Sequence, residues 1–204
     1  ELMLPSKDIE KIFKDGLKLP KQLDETIYPN EFIHIKSNDT SSNGVLTIYN
    51  GDKIVPLKYA NNSAWGLVPI NREQKMAFEL LMDNNIHFVT LAGGAGSGKT
   101  ILSTAVALQK VIEEEVYRKI VFIKPVVPAG SDIGFLPGTE AEKLKPWMGS
   151  FYDAVDNLFG NKYRRKEKPS KSDTTSKPVF TVDSFIEDYR QHGIIETKTF
   201  TYMR

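Results

Sequence analysis

The sequence GGAGSGKT, residues Gly93 to Thr100, matches the spacing G-x-x-x-x-G-K-[ST]. Glycines let a loop adopt backbone angles that are closed to other residues, so that successive N–H groups can surround an anion. The lysine adds a positive charge, and the threonine adds a hydroxyl suited to a magnesium ion. The stretch therefore predicts a phosphate-binding loop at the N-terminus of a helix.

The residues around this loop predict the arrangement that such a loop requires. The apolar run from His87 to Leu91 has the length of a strand that is buried on both faces of a parallel sheet. A helix from Lys99 to about Glu115 and a second buried strand from Lys119 to Ile123 are predicted after the loop. Strand, loop, helix and strand form a βαβ unit with a right-handed crossover. The predicted fold class is α/β, a parallel sheet with helices on both faces.

The chain that follows carries three further predicted elements and one polar segment. A helix is predicted from Glu140 to about Phe159, a second helix from Thr181 to about Gly193, and strand-like sequence from Ile194 to Tyr202. Between the two helices, Gly160 to Pro178 is polar and rich in lysine and arginine. Its basic part, Lys162 to Lys177, is either a solvated insert, which we favour, or an arm that contacts RNA, with an aromatic side chain available to stack on bases.

The N-terminal region differs in character from the rest. Ser6 is predicted to cap a short helix that ends near Gly16, and Phe32 to Ile35 is predicted to be a strand. Asn50-Gly51 favours a type I′ turn between the strands Leu46–Tyr49 and Lys53–Leu57. Three short strands make a small β module that needs a surface to pack against. We therefore predict two regions, residues 1–68 and residues 69–204.

Two polar residues precede the glycine-rich loop and have two interpretations. The helix predicted from Glu73 to Met82 would bury Met76, Ala77, Leu80 and Leu81. Asn71 and Gln74 lie at its start, and the Gln74 amide could recognise an adenine edge with one donor and one acceptor. The alternative, slightly favoured by the residues alone, is that both side chains cap and solvate the helix.

Composition limits the class of protein. The chain has 204 residues, of which 40% are hydrophobic and 26% are charged, as in a soluble globular protein with one main domain and an appendage. The net charge of +1 gives no argument for nucleic acid from the whole chain. No apolar run approaches the roughly 20 residues that a membrane span needs. We expect no membrane partner.

Cysteine and histidine usage narrow the chemistry further. The absence of cysteine excludes disulfides and thiolate metal sites and is compatible with the cytoplasm. The three histidines are scattered without ligand spacing, so that packing or surface roles are expected of them. The chain begins with Glu1 and stops at Arg204 directly after an apparent strand, so we expect it to be a fragment.

Several further motifs flank the loop in a fixed order. They are Trp65-Gly66, Pro69-x-Asn71-x-x-Gln74-x-x-Ala77, Lys124-Pro125-Val126-Val127-Pro128-Ala129-Gly130, Asp132-Ile133-Gly134-Phe135-Leu136-Pro137-Gly138, Glu142-Lys143-Leu144-x-Pro146-Trp147-Met148 and Tyr202-Met203-Arg204. With the loop, they resemble the PhoH-like family of P-loop ATPases, which is related in its RecA-like core to superfamily 1 helicases. The spelling around Trp65 and Asp132 is most similar to members in which a PIN ribonuclease domain precedes the ATPase. Residues 1–64 would then be the connecting β module.

The resemblance implies binding and hydrolysis of ATP with Mg²⁺, coupled to RNA binding or unwinding. It implies an adenine contact for Gln74 and a functional loop at Gly134 to Gly138. Lys124 departs from the family, which more often has arginine there and thereby a planar fork for phosphate. The implied catalytic residues are Lys99 and Thr100, with Thr100 also the metal ligand. The implied nucleotide contacts are Asn71, Gln74, Gly93, Gly94, Ala95, Gly96, Ser97, Gly98, Lys99, Thr100 and Ile101.

Two main functional hypotheses remain after the resemblance is taken into account, and a kinase is a weaker third because nothing in the sequence resembles a phosphate-acceptor pocket. The first is an ATPase that acts on RNA, and the second is a nucleotide-gated regulatory module that assembles as a ring and controls an attached ribonuclease. In the family a Gly-Arg-Thr and the Walker B aspartate follow the position of Arg204. A chain without that carboxylate is expected to bind nucleotide and to hydrolyse it poorly.

Overall fold

The computed structural model of the protein describes residues 1–19, 27–39, 44–124, 148–160, 162 and 181–198. The chain divides into two compact units, one formed by Glu1–Asn62 with Pro69–Leu91 and the other by Ser63–Val68 with Ala92–Arg204. The sequence-based boundary after residue 68 stays a prediction about domains.

The first unit is a small sheet with two helices. Its described elements are β1 (Leu2–Leu4), α1 (Ser6–Asp15), β2 (Phe32–Ser37), β3 (Val45–Tyr49), β4 (Ile54–Pro56) and α2 (Arg72–Met82). The strand order is β1-β2-β3-β4, with β1 parallel to β2 and the other pairs antiparallel. The predicted β module is therefore present, with a fourth strand at its N-terminal end that sequence analysis missed.

The core of this unit lies between α1 and one face of the sheet. Ile33 and Ile35 alternate along β2 with less buried residues, and they pack with Ile12 of α1 and with Ile54 of β4. Ile12, Ile35 and Ile54 are almost completely buried. Complete burial of such a side chain stabilises the fold by about 1.5–3 kcal/mol. Helix α1 is thus the surface against which the small sheet packs.

Two local predictions in this unit were wrong. Pro5 occupies the N-cap position of α1, and Ser6 is its first helical residue, whose hydroxyl lies 2.8 Å from the Ser37 hydroxyl. The hairpin loop has four residues between the paired Tyr49 and Ile54 rather than a two-residue type I′ turn. In that loop the Asn50 side-chain oxygen accepts hydrogen bonds from the backbone N–H groups of residues 52 and 53, at 3.0 Å and 2.8 Å. Because this side chain holds the loop, only glycine at position 51 needs a positive φ, of 96°.

Helix α2 is present where predicted but buries a different face. Its buried residues are Phe78, Glu79 and Met82, whereas the predicted Met76, Ala77, Leu80 and Leu81 are half-buried. The cause is the Glu79 carboxylate, which is 5% exposed and accepts hydrogen bonds from three successive backbone N–H groups. The donors are residues 58, 59 and 60, at 2.6, 2.7 and 3.0 Å.

The second unit contains the glycine-rich loop. Its described elements are α3 (Lys99–Leu108) continued by a π-helical turn (Gln109–Glu113), β5 (Ile120–Ile123), α4 (Gly149–Phe159), α5 (Val182–Gln191) and β6 (Ile195–Lys198). Strands β5 and β6 pair in parallel, with Ile120 opposite Ile195 and Ile123 opposite Lys198. Helix α5 begins with a capping box in which Thr181 and Ser184 each accept a hydrogen bond from the backbone N–H of the other. The helix after the loop, the strand near residue 120 and the helix opened by Thr181 are confirmed.

The strand predicted before the loop is not formed. Residues 87–91 are irregular, and Phe88 is 85% exposed. Strand β5 is not buried on both faces either, because Val121 is 38% exposed. The predicted βαβ unit from residue 87 to residue 123 was therefore wrong, and the described parallel pairing joins β5 to β6 instead. An apolar run indicates a tendency to be buried, but it does not supply the neighbouring strand that a sheet requires.

The architecture is thus mixed α/β. In the second unit α3 packs against α4, which buries Leu102, Ala105 and Leu108 of the first helix and Phe151 and Leu158 of the second. Several predictions fall outside the described residues. They concern the motif residues 125–130, the Gly134 to Gly138 loop, the first half of the helix predicted from Glu140, nearly all of the basic segment, and residues 199–204, which include the end of the strand predicted from Ile194.

Candidate nucleotide-binding site

The glycine-rich loop uses its glycines where only glycine fits the backbone. Gly96 has φ 76° and Gly98 has φ 94°, a region that side chains with a Cβ rarely adopt. A Cβ on Gly93 would lie 3.3 Å from the Ser97 hydroxyl, whereas Gly94 and Gly96 face open space within 4 Å. The loop therefore turns tightly and leaves an open approach at its middle.

The loop leads directly into helix α3. Gly98 is the N-cap residue and has no side chain with which to cap the first turn. Its carbonyl accepts the first helical hydrogen bond, from the Leu102 N–H at 2.9 Å. The N–H groups of Lys99, Thr100 and Ile101 belong to the first turn of an α-helix, where backbone donors have no intrahelical partner and the helix dipole favours negative charge. This geometry suits an anion in front of α3.

The Lys99 side chain folds over the loop that precedes it. Its Nζ atom donates hydrogen bonds to the carbonyl oxygens of Gly93 at 2.9 Å and Gly94 at 2.7 Å. The same atom lies 3.3 Å from the Ser97 hydroxyl. The ammonium group is thereby held at the centre of the loop by oxygen acceptors, which are the kind of atom that a phosphate also presents.

The position of the first turn of α3 is stabilised by the packing of the rest of the helix and by hydrogen bonds from Ser103. Leu102, Ala105, Val106 and Leu108 are buried in the second unit. Ser103 donates from its hydroxyl to the carbonyl oxygens of Lys99 at 2.9 Å and Thr100 at 3.1 Å. Lys99 and Thr100, at the start of α3, therefore belong to a helix whose other face is packed in the core of the second unit.

Asn71 and Gln74 lie together at the start of α2, in the first unit. The Asn71 Oδ1 atom accepts from the Gln74 N–H at 2.8 Å, and the Gln74 Oε1 atom accepts from the Ile70 N–H at 3.0 Å. Both side-chain oxygens thus satisfy backbone N–H groups at a helix N-terminus, as the capping interpretation expects. A contact between Gln74 and adenine stays a prediction, and it would require the Oε1 atom to release Ile70 or the amide to act as a donor.

One residue of the basic segment has an unexpected role. The Lys162 Nζ atom lies 4.4 Å from the centre of the Trp65 ring and forms an ion pair with Glu113. The other side of this cluster is the Phe185 ring, 5.3 Å from the Trp65 ring. Sequence analysis missed this cluster because its members lie in four separate segments and no spacing signals their contact.

The described part of the chain lacks two kinds of feature. None of its helices has the length and apolar character that crossing a membrane would need. The same residues contain no group of three or more His, Cys, Asp and Glu side chains that could hold a metal ion.

The glycine-rich loop runs directly into a helix, as in the P-loop class of proteins, but the strand that precedes the loop in that motif is not formed here. Residues 67–204 match the family model described as "PhoH-like protein". The chain therefore belongs to the PhoH-like family.

Relatives in three bacteria support this assignment. Protein PhoH2 of Bacillus subtilis is 36% identical over 179 residues, which is 87% of this chain and 36% of that protein. Protein PhoH2 of Mycolicibacterium smegmatis is 31% identical over 160 residues, 78% of this chain and 36% of that protein. Protein PhoH2 of Thermobispora bispora is 32% identical over 157 residues, 76% of this chain and 35% of that protein. The chain thus spans about a third of the length of these relatives, and no solved structure matches it.

Proposed function

We propose that the chain binds ATP with Mg²⁺ through residues 93–101 and that it serves an ATPase that acts on RNA. The observation that carries the nucleotide part is the loop itself. Gly96 and Gly98 adopt positive φ, and the Lys99 ammonium lies over the carbonyl oxygens of the same loop. Family membership supports an ATPase-type protein.

The residues present fit a triphosphate. Open space at Gly94 and Gly96 lets an anion approach the backbone closely. The first-turn N–H groups of α3 donate to phosphate oxygens, and Lys99 neutralises negative charge on the outer phosphates. Ala95, Ser97 and Ile101 contribute through their backbone N–H groups, because side chains of these types add no charge.

The Thr100 hydroxyl is the proposed ligand of Mg²⁺, a cation that prefers oxygen ligands and binds largely through water and phosphate. Held there, Mg²⁺ would supply positive charge that offsets the negative charge of the phosphates. The residues of this chain hold and orient the phosphates, and we propose no further catalytic step for them. Asn71 and Gln74 are proposed to contact the base.

The RNA part of the proposal rests on the resemblance to superfamily 1 helicases described above. The alternative is a nucleotide-gated module that assembles as a ring and regulates an attached ribonuclease of the PIN type. The length of the relatives favours keeping this alternative, because about two thirds of each lies outside the matched region and offers room for other domains. A cytoplasmic location is proposed for either.

Turnover of ATP with and without single-stranded RNA distinguishes the two functions. The motor hypothesis expects RNA to stimulate the rate, and an unchanged rate would leave the regulatory module as the better description. Comparison of ATP with GTP, in the wild type and in Gln74→Ala, tests the base contact. The proposed contact expects preference for ATP to shrink in this variant, and an unaltered preference would assign Gln74 to capping alone.

A further inference from the structure

A pocket of about 260 Å³ opens on the first unit, between the sheet and the first turn of α2. Its walls include His34, Gly44 and Leu46 from the sheet side and Asn71, Arg72 and Lys75 from the helix side. None of the proposed phosphate-binding residues 93–101 lines it, although Asn71, a proposed contact of the base, does. Three of the side chains that line it are basic.

The sheet side of the pocket is the face that α1 does not cover. Ile33 and Ile35 point into the core with α1, so that the alternate residues His34 and Lys36 lie on the opposite face. Gly44 closes this wall tightly. Its φ is 72°, and a Cβ there would lie 2.8 Å from His34 Nε2 and 2.7 Å from the Ile35 carbonyl oxygen. A side chain at position 44 would therefore collide with the imidazole at the edge of the pocket.

The helix side of the pocket supplies two positively charged side chains from the same side of α2. Arg72 and Lys75 are three residues apart on α2 and so occupy one side of it. Within the described residues neither forms an ion pair. Both lie at the positive end of the helix dipole, which adds to their attraction for an anion. A guanidinium presents a planar fork that matches two oxygens of a phosphate.

Glu1, an acid that pairs with His34 on the sheet side, is already engaged. The Glu1 carboxylate lies 2.8 Å from Lys36 Nζ and 3.1 Å from His34 Nδ1. The hydrogen bond from Lys36, with that from His34, lowers the pKa of Glu1 to about 2. Glu1 therefore balances charge on the sheet, while the charges of Arg72 and Lys75 are left without a described counter-ion.

We infer that this pocket binds a backbone phosphate of single-stranded RNA, as a site separate from the glycine-rich loop. Its open form suits a polymer, because the chain on both sides of one phosphate can leave the pocket. The choice of RNA rests on the proposed function, whereas the choice of a phosphate rests on the pocket alone. A free nucleotide or inorganic phosphate carries the same chemistry, and the experiment distinguishes these sources.

The test is fluorescence anisotropy with a labelled oligouridine of about 12 nucleotides, titrated with the double variant Arg72→Gln and Lys75→Gln. Glutamine keeps helix propensity and removes only the charges. The expected result is about 10-fold weaker binding of the oligonucleotide. The slope of log affinity against log salt should fall by about 0.7, the amount expected when one phosphate contact on a single strand is lost.

A charge-matched control is available on α1. Lys7 and Lys14 are exposed there, on the helix that covers the other face of the sheet, and neither forms an ion pair with a described residue. Lys7→Gln with Lys14→Gln should leave RNA affinity within about 2-fold of the wild type, because exposed charges far from a site contribute little. Equal losses in both double variants, or none in either, would overturn the inference. Circular dichroism checks that all variants are folded.

Further titrations distinguish binding at this pocket from binding at the proposed nucleotide site. Titrations with Mg-ATP and with inorganic phosphate should give the same affinities in the wild type and in the Arg72/Lys75 variant. Loss of ATP or phosphate binding in that variant with RNA binding intact would assign the pocket to a small anion and overturn the inference. Lys99→Ala should lose ATP and keep RNA. If it keeps ATP, the proposed nucleotide site fails while the result for the pocket still stands.

Discussion

Lys99 Nζ lies 2.7 Å from the carbonyl oxygen of Gly94 and donates a hydrogen bond to it. The cation is thus held by the loop that it follows in sequence. An incoming phosphate would compete for this ammonium with carbonyl oxygens rather than with a carboxylate. Since no acidic side chain of the described residues pairs with this charge, the ammonium is well prepared for an anionic ligand.

Replacement of Lys99 by alanine should abolish measurable ATP binding and leave the fold intact. The side chain is half-buried, and among the described residues its hydrogen bonds go to loop oxygens, so that the free energy of unfolding should change by about 1 kcal/mol or less. Calorimetric titration with Mg-ATP and urea denaturation measure the two effects. Lys14→Ala, on an exposed face of α1, is the matched control, and ATP affinity equal in both variants would contradict the assignment.

Alanine variants at Gly98 and Gly94 should distinguish the effect of backbone strain on stability from the effect of a side chain on ligand binding. Gly98→Ala places a Cβ at φ 94°, which costs about 1–2 kcal/mol of stability. Gly94→Ala meets nothing within 4 Å and should change stability by less than about 0.5 kcal/mol. Both should weaken Mg-ATP binding, because each new methyl group stands where a phosphate approaches the backbone. Stable Gly94→Ala protein with full ATP affinity would argue against this approach path.

Removal of the Glu79 charge should destabilise the first unit. The carboxylate is buried and accepts three backbone hydrogen bonds, and hydrogen bonds to a charged group contribute about 1.5–3 kcal/mol each. Glu79→Gln keeps the shape and one oxygen, so we expect a loss of at least about 2 kcal/mol in urea denaturation. Glu73→Gln, exposed on the same helix, is the control. Equal stability of the two variants would show that the three amides do not depend on the charge.

Acid should weaken the pairing of β5 with β6. Hydrogen bonds from Lys119, at 2.6 Å, and from Lys198 lower the pKa of Glu196 below its usual value of 4.5. A lowered pKa in the folded state means that the stabilisation is complete above the usual value and is lost as the pH falls through the lowered one. The stability difference between the wild type and Glu196→Gln, measured in urea, should therefore be larger near pH 7 than near pH 3. A difference that does not change with pH would contradict this role.

Local signals explain most of what the sequence could predict. Thr181 and Gly98 mark helix starts through their own chemistry, and the glycine-rich loop is recognisable because a phosphate dictates the residue types within eight consecutive positions. The hydrophobic alternation of β2 likewise indicates its buried face. Features of this kind depend on neighbours in sequence, so spacing alone reveals them.

The predictions failed where contacts between residues distant in sequence determine the local structure. Glu79 is buried because backbone amides some twenty positions earlier in the chain need an acceptor, and no helical pattern shows this. The apolar run at residues 87–91 has the composition of a buried strand, but among the described residues no strand pairs with it. The basic pocket joins His34 to Arg72 across two elements, and a scan for motifs does not find such a meeting.

Backbone amide NMR during titration with Mg-ATP tests the central claim most directly. If the glycine-rich loop binds the triphosphate, the amide resonances of Gly94 to Ile101 should shift more than those of any other segment. In Lys99→Ala the same shifts should be absent or greatly reduced. Saturable ATP binding that leaves these amides unshifted in the wild type would contradict the account.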